Sequence, residues 1–322
     1  MHLVKNRLAV FASLCALFVL IVASREVLES CRYGLRLCVD LIVPSLFPFF
    51  VVTGLLNRLG FPFWLGEKLS PLSQRLFRVS GAGVGALLAG LCGGYPMGAA
   101  CVAELLRNSV IDRREAERLL LFCNNTGPAF FVGAVGSGVF HSPAIGLTLY
   151  GIHALSAVLI GILFRAEKAM EPSTLPVQRA IPSFSKAFPG AVQQAVTSVL
   201  SVCGYVVCFS VFTGLLDTSG FFNTLLDAIS GFLHLEPSVL RAAVIGFLEL
   251  GSGIGALRGL PPSALSLALA AGIVGWGGIS VQFQSLAMLA DLDIKSAPLF
   301  AGRLLSAVLS FLLAYSVFLL KS

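Results

Sequence analysis

Long stretches without a charged residue constrain this chain more than any other feature of its sequence. A helix needs about 20 apolar residues to cross roughly 30 Å of hydrocarbon, and the alternating pattern of barrel strands is missing. The charge-free stretches cover residues 8–24, 41–57, 79–103, 119–164, 187–216, 259–290 and 304–320. They predict an all-α, polytopic membrane protein.

The composition agrees with lipid as the main solvent of the side chains. Of the 322 residues, 57% are hydrophobic and only 12% are charged, which is too little charge for the surface of a soluble domain of this length. In a soluble protein the net charge of +6 would suggest nucleic acid. Here the positive-inside rule explains it, so we expect the lipid bilayer as a partner and no nucleic acid.

Cysteines and histidines do not form the clusters that metals or disulfides require. No CxxC pair is found among the 8 cysteines, and the 4 histidines have no acidic or thiol ligand at helical spacing. The sequence also lacks HExxH, paired GxGD and GxSxG motifs. We therefore predict no metal, no cofactor and no enzymatic activity.

An internal repeat divides the chain. The sequence Thr-Gly-Leu-Leu at 53–56, followed by Gly-Phe at 60–61, recurs at 213–216 and 220–221. Two interrupted apolar segments and a terminal apolar run follow each copy in the same order. The predicted organisation is a retained N-terminal transmembrane helix at 1–30, a first repeat at 31–165, a proline-rich basic cytoplasmic linker at 166–190 and a second repeat at 191–322.

Loop charges predict that the two repeats have opposite orientations. The N-terminus, the loops at 58–78 and 107–118 and the linker are basic and are placed inside, whereas 217–236 has acids and no base. This assignment makes residues 79–103 re-entrant, and it directs the apolar span at 41–57 opposite to its repeat mate. Inverted-topology repeats of this kind are typical of many secondary transporters.

Helix breaks are predicted inside the apolar stretches at 93–96, 124–128, 251–255 and 275–278, where Gly, Pro and Asn accumulate. Backbone groups freed by a break cannot face hydrocarbon, so they line a wet cavity or are packed in protein. Broken helices that meet at the midplane present amides to anions and carbonyls to cations. The alternative is that the glycines only permit close helix packing.

Polar and aromatic residues near the breaks form the predicted solute site. Glu249 is either a proton carrier or a structural acid bonded to backbone amides of the broken segment. Tyr95 and Trp276 either stack on a planar ring or fill space. The predicted site comprises Gly93, Gly94, Tyr95, Asn124, Asn125, Thr126, Glu249, Ser252, Trp276, Gly277, Gly278, Ser280 and Gln282.

Two motifs also carry a family resemblance. GLCGGYPMGA at 90–99 and EAERLLLFCNNTGP at 115–128 resemble the sporulation integral membrane protein of endospore-forming bacteria. That family belongs to the nucleoside-recognition, or gate-domain, superfamily, which is distantly similar to concentrative nucleoside transporters. In the second half, Leu-Glu at 248–249 and GGISVQ at 277–282 look like the gate-domain pattern.

The resemblance implies transport of dipicolinic acid from the mother cell into the forespore, across the outer forespore membrane. Two alternatives stay open, a non-transporting protein of spore envelope assembly and a nucleoside-type transporter. A small-molecule solute is the expected partner, and a coupling proton, a sodium ion and an oligomeric assembly stay open as well.

Overall fold

A computed structural model describes residues 2–166, 182–233 and 236–320, and within these ranges the regular structure is helical, without strands. The helices long and apolar enough to cross a membrane are Ser24–Arg58, Pro143–Leu163, Phe184–Thr218, Ala264–Leu289 and Ala297–Leu319. Bent helix pairs, such as Ser70–Leu76 with Gly81–Gly93 at 91°, raise the number of spans to as many as 7. The predicted all-α, polytopic class is confirmed.

Within residues 2–166, the described part of the first half contains nine α-helices and two π-helical segments. They are α1 (His2–Val22), α2 (Ser24–Leu37), π1 (Cys38–Ile42), α3 (Val43–Arg58), α4 (Phe61–Lys68), α5 (Ser70–Leu76), α6 (Gly81–Gly93), α7 (Met97–Arg107), α8 (Arg113–Phe122), π2 (Ala129–Val139) and α9 (Pro143–Leu163). Because α2, π1 and α3 form one continuous span, the predicted boundary between residues 30 and 31 falls inside a helix.

The second half repeats the same order of elements. It contains α10 (Phe184–Thr218), α11 (Phe221–Leu233), α12 (Pro237–Leu248), α13 (Leu250–Gly255), α14 (Ala264–Trp276), α15 (Gly278–Leu289) and α16 (Ala297–Leu319). Thus α10 corresponds to α3, the α12–α13 pair to α6–α7, the α14–α15 pair to α8–π2, and α16 to α9.

The predicted linker at 166–190 is too long at its C-terminal end. Residues 167–181 lie outside the described residues, but α10 already begins at Phe184 and includes Pro189. Pro189 is the sixth residue of α10 and lies beyond the four initial amides that lack an acceptor, so it removes one backbone hydrogen bond of the helix. Burial of Ala187 and Ala191 on either side of Pro189 favours the helix over an extended linker.

The repeat mates α3 and α10 run antiparallel, as the inverted repeat requires. Gly54 of α3 packs on Ala191 near the start of α10. Further towards the N-terminus of the same span, the Cys38 thiol donates to the Cys203 carbonyl (3.8 Å), and Gly34 packs on Ser210. Small residues at these points allow the two helices to approach closely.

The segment predicted to be re-entrant is a helical hairpin. Helices α6 and α7 pack against each other on either side of a turn at 94–96, where the Tyr95–Pro96 peptide bond is cis. The start of α6 is capped by Ser80, whose hydroxyl accepts from the Gly83 amide (3.1 Å). The buried Glu115 carboxylate of α8 accepts from the Ser80 amide (2.7 Å), which ties the hairpin to α8.

Ion pairs connect the two repeats outside the predicted spans. Arg107, at the end of α7, donates twice to the Asp291 carboxylate (2.5 and 2.8 Å). Arg113 pairs with Asp293 (2.8 Å), and the Glu117 carboxylate accepts from the Lys295 amide (3.0 Å). These contacts hold the α7–α8 loop on the α15–α16 loop. We call them the loop clamp, which consists of Arg107, Arg113, Glu117 and residues 291–295.

The loop clamp is expected to loosen in acid. The Arg107 guanidinium lowers the pKa of Asp291, and the Lys295 amide and Arg113 lower the pKa of Glu117. Because the pKa values are lowered in the folded state, the ionised carboxylates stabilise the clamp at a pH above their ordinary pKa of about 4. This stabilisation is lost as the pH falls through the lowered pKa values. The protection factors of the amides in residues 291–295, which correct for the intrinsic pH dependence of hydrogen exchange, should therefore fall below about pH 4.

A matched variant tests this expectation. Arg107→Ala should give fast exchange in residues 291–295 already at neutral pH, with unchanged membrane abundance, because exposed ion pairs contribute little to global stability. Equal exchange rates in the wild type and the variant at neutral pH would show that the ion pairs do not hold the loops together.

Candidate solute site

The structure contains an interruption at three of the four predicted breaks. Helix α6 stops at Gly93 and α7 starts at Met97, and the chain has no regular secondary structure between α8 and π2 over residues 124–127. Gly277 (φ 85°) separates α14 from α15 within one membrane-length span, and Gly278 at the start of α15 also has a positive φ (79°). These interruptions agree with the predicted ones at 93–96, 124–128 and 275–278.

The predicted break at 251–255 is displaced, because residues Leu250–Gly255 form α13 and the chain breaks at Glu249. Glu249 adopts an extended backbone (φ −143°, ψ 125°), and its carboxylate accepts from the amides of Gly251 (2.8 Å) and Ser252. The chain therefore breaks where a side chain can satisfy the freed amides, and the glycines serve close packing. A Cβ on Gly253 would lie 2.2 Å from the Gly246 Cα atom.

All four breaks meet in one cluster. Gly94 lies against the Gly127 amide, where a Cβ would be 3.0 Å from the nitrogen. Gly277 lies against the Tyr95 ring, and a Cβ on Gly277 would be 3.2 Å from the nearest ring carbon. Gly278 packs on the backbone at Glu249, and a Cβ on Gly278 would be 2.8 Å from the Leu250 nitrogen. Breaks from both repeats thus pack on each other with little space between their backbones.

Side chains from the first repeat bond to the C-terminal carbonyls of α14. The Tyr95 hydroxyl donates to the Val274 carbonyl (3.2 Å), and the Thr126 hydroxyl donates to the same oxygen (3.2 Å). The Thr126 amide in turn donates to Nε2 of the buried His153 (3.2 Å). Freed backbone groups at the break are thereby satisfied within the protein, as a membrane interior requires.

Arg303 of α16 is the main residue that sequence analysis missed. Its side chain is fully buried (0% exposed), and it donates to the Tyr95 hydroxyl (2.8 Å) and to Oδ1 of Asn125 (3.3 Å). Its guanidinium also lies 5.6 Å from the centre of the Tyr95 ring. A signal was present in the sequence, because Arg303 interrupts an apolar helix that begins at Ala297.

Glu249 is equally buried, with 3% of its surface exposed, and no basic side chain in the described ranges forms an ion pair with it. Its bonds to two amides are those of the structural alternative raised from the sequence. Glu249 also lines a cavity, so capping and solute contact do not exclude each other.

The break cluster borders a narrow cavity of about 40 Å³. Its polar lining comes from Tyr95, Thr126, Glu249 and Gln284. Its apolar and backbone lining comes from Leu46, Phe50, Gly94, Gly127, Ala129, Phe130, Val202, Leu250, Gly251 and Val281. Mostly apolar walls with a few convergent polar groups are typical of small-molecule sites. We call this space the central cavity.

Two larger cavities with mixed polar and apolar linings lie near the central cavity. One, of about 200 Å³, shares Tyr95, Val202 and Gln284 with it and is lined by hydroxyls of α10. The other, of about 410 Å³, includes Ser252 and the ion pair between Asp217 and Arg241. Helix α13 contributes to both the central and the 410 Å³ cavity, so it forms a thin wall between them.

The predicted site residues divide into three groups. Gly94, Tyr95, Thr126 and Glu249 line the central cavity, Gly93 lines a small neighbouring pocket, and Ser252 lines the 410 Å³ cavity. The second group packs within the break cluster without lining these cavities. It consists of Asn124, Asn125, Gly277, Gly278, Ser280 and Gln282.

Trp276 forms the third group, because it turns away from the central cavity. Its ring stacks on Phe247 (5.2 Å between centres, 3° between planes), and its indole nitrogen donates to the Phe247 carbonyl (2.8 Å). The side chain therefore fills space beside the α12 end. The aromatic residues that do line the cavity with Tyr95 are Phe50 and Phe130, which sequence analysis did not select.

Fold and site together define a polytopic membrane protein in which broken helices of two antiparallel repeats meet beside a cavity with mostly apolar walls and a few polar groups. No protein-family model matches the chain. The sporulation integral membrane protein YlbJ of Bacillus subtilis (strain 168) is 31% identical over 304 residues, which cover 87% of this chain and 74% of that protein. This chain belongs to the family of that sporulation integral membrane protein.

A solved structure shares the fold. CNTnw, as a single-residue variant in its intermediate 3 state, matches with a TM-score of 0.52 over 99% of this chain and 85% of its own. The sequence identity is 15%, so the likeness concerns the fold alone.

Proposed function

We propose that this protein is a carrier for a small anionic aromatic solute, and that the solute is dipicolinic acid. The observation that carries the proposal is the meeting of four helix breaks beside the central cavity. Broken helices cost backbone hydrogen bonds in a membrane, and transporters use them to build solute sites near the bilayer midplane. The proposed activity is transport without chemical change of the solute.

The chemistry of the cavity suits a flat aromatic dicarboxylate. Phe50, Tyr95 and Phe130 offer ring surfaces for a pyridine, while hydroxyl and amide groups such as Thr126 and Gln284 offer hydrogen bonds to carboxylates. A fully buried guanidinium stands behind Tyr95. Membership of a sporulation family supports a spore setting, and we place the carrier in the outer forespore membrane.

The size of the central cavity bears on the transport cycle. A space of about 40 Å³ holds a few water molecules and is too small for a pyridine dicarboxylate. Solute entry therefore requires the walls to separate, and the 200 Å³ and 410 Å³ cavities supply space on different sides of the site. In the proposed cycle the two repeats separate so that the site opens first to one of these cavities and then to the second one, which is alternating access.

The proposal is tested by uptake of radiolabelled dipicolinate into proteoliposomes that contain the purified protein. We expect saturable uptake that exceeds the uptake by protein-free liposomes and that excess unlabelled dipicolinate suppresses. Imposed pH and sodium gradients in the same vesicles identify the coupling ion. Absence of uptake under every gradient would contradict the carrier function.

Spores of a deletion strain separate the alternatives. A carrier predicts spores without dipicolinic acid, whereas an envelope assembly protein predicts normal dipicolinic acid with a coat or cortex defect. A nucleoside-type carrier is examined in the same liposomes, because labelled uridine would then enter in place of dipicolinate.

A further inference from the structure

We infer that Arg303 supplies the positive charge by which the central cavity selects carboxylate anions, and that it acts through Tyr95. The inference rests on the proposed carrier function and names the residue that gives the cavity its charge preference. Arg303 lies behind the cavity wall and is therefore a specificity residue that acts through a neighbour.

The charge of Arg303 lacks an anionic partner in the described part of the chain. The carboxylates buried with it in the protein interior are engaged elsewhere, since Glu115 accepts from the Ser80 amide and Glu249 from the amides of α13. The partners of Arg303 are neutral oxygens of Tyr95 and Asn125, and its Nε atom has no partner. A buried charge without a counter-charge is costly, and a bound anion would offset that cost.

Tyr95 connects this charge to the solute space. Its side chain lines the central cavity, the 200 Å³ cavity and the small pocket beside Gly93. Its hydroxyl accepts from Arg303 and its ring lies beneath the guanidinium, so one side chain separates the charge from the cavity. At this separation, in a medium of low polarity, a positive charge acts strongly on an anion in the cavity.

Asn125 holds the guanidinium from the other side. Its Nδ2 donates to the Phe122 carbonyl (2.6 Å), which directs Oδ1 towards Arg303. Asn125 thus accepts from Arg303 with a neutral amide oxygen, whereas an aspartate at position 125 would neutralise the charge of Arg303. An amide at this position therefore leaves the net positive charge available to the solute.

Charge selectivity distinguishes this role from a structural one. We measure binding of three probes of similar shape to the detergent-solubilised protein, namely dipicolinate (dianion), picolinate (monoanion) and pyridine-2,6-dicarboxamide (neutral). For the wild type and for Arg303→Lys, which keeps the charge, we expect dipicolinate to bind at least ten-fold more tightly than the dicarboxamide, a difference of about 1.4 kcal/mol. For Arg303→Gln we expect that preference to disappear.

A second variant retains Arg303 and tests the same charge. Asn125→Asp places a carboxylate beside the guanidinium with almost no change in shape, so it should abolish the preference for dipicolinate as Arg303→Gln does. Dipicolinate preference retained in Asn125→Asp or Arg303→Gln would overturn the inference, and so would failure of both variants to fold. Failure of the wild type to bind or transport dipicolinate would instead contradict the proposed function.

Discussion

Replacing Gly98 with alanine is expected to remove most of the protein from the membrane. A Cβ on Gly98 would lie 1.9 Å from the Cys123 carbonyl oxygen, and a Cβ on Gly90 would lie 1.9 Å from the same atom. The obstacle is backbone at the start of a break, so no side chain can rotate away. Overpacking in a core costs about 1–3 kcal/mol, and a backbone collision belongs at the upper end of that range or above it.

Gly302→Ala should have an equally large effect, because its Cβ would lie 2.0 Å from the Leu121 carbonyl oxygen. Gly151 and Gly204 provide the matched controls, since each is within a long apolar helix and has no atom within 4 Å of a built Cβ. Alanine at those positions gains about 1 kcal/mol of helix propensity and meets no obstacle.

The measurement is the amount of protein extracted from membranes, together with the thermal unfolding midpoint in detergent. We expect Gly98→Ala and Gly302→Ala to lower both quantities strongly, and Gly151→Ala and Gly204→Ala to leave them unchanged or slightly raised. Wild-type abundance of Gly98→Ala would show that the hairpin and α8 do not pack as closely as the structure has them.

Glu249→Gln is expected to abolish dipicolinate uptake while the protein remains in the membrane at near-normal abundance. Glutamine keeps the shape of the side chain and one acceptor oxygen for the amides of Gly251 and Ser252, but it cannot bind and release a proton, which is the transport role that we propose for Glu249. Glu249→Ala removes both acceptors. The cost of leaving buried amides without partners is about 1–3 kcal/mol each, so this variant should also lose abundance.

Glu115→Gln is the matched control for Glu249→Gln. Glu115 is a buried acid that also accepts from a backbone amide, that of Ser80, but it does not line the central cavity. Uptake per folded protein should therefore be normal in Glu115→Gln and absent in Glu249→Gln. Normal uptake in both variants would reduce Glu249 to a helix cap.

Much of the fold follows from the sequence because lipid imposes strict conditions on a chain. Charge-free stretches must be helices, and breaks within them must be covered by protein, which is why the spans and most of the interruptions could be predicted. The third break was misplaced because glycine content indicates where a helix can break. The actual position depended on a carboxylate at Glu249 that satisfies the freed amides.

The membership of the candidate site was predicted less completely. Tyr95, Thr126 and Glu249 were selected because they stand at breaks, and they do line the central cavity. Trp276 was selected for the same reason and faces Phe247 instead, since proximity to a break does not fix the direction of a side chain. Arg303 was missed because it lies in a helix without a break.

The sequence by itself determined the membrane-spanning class and most of the helix interruptions, because both depend on local apolarity and backbone chemistry. It also predicted the internal repeat and the opposite directions of its halves from residue pattern and loop charge. Only the tertiary structure decided which polar groups meet. Tyr95 bonds to Val274 and Arg303 to Asn125 across separations of 179 and 178 residues. Such pairings depend on how distant helices rotate and cross when they pack, and no local pattern encodes that rotation.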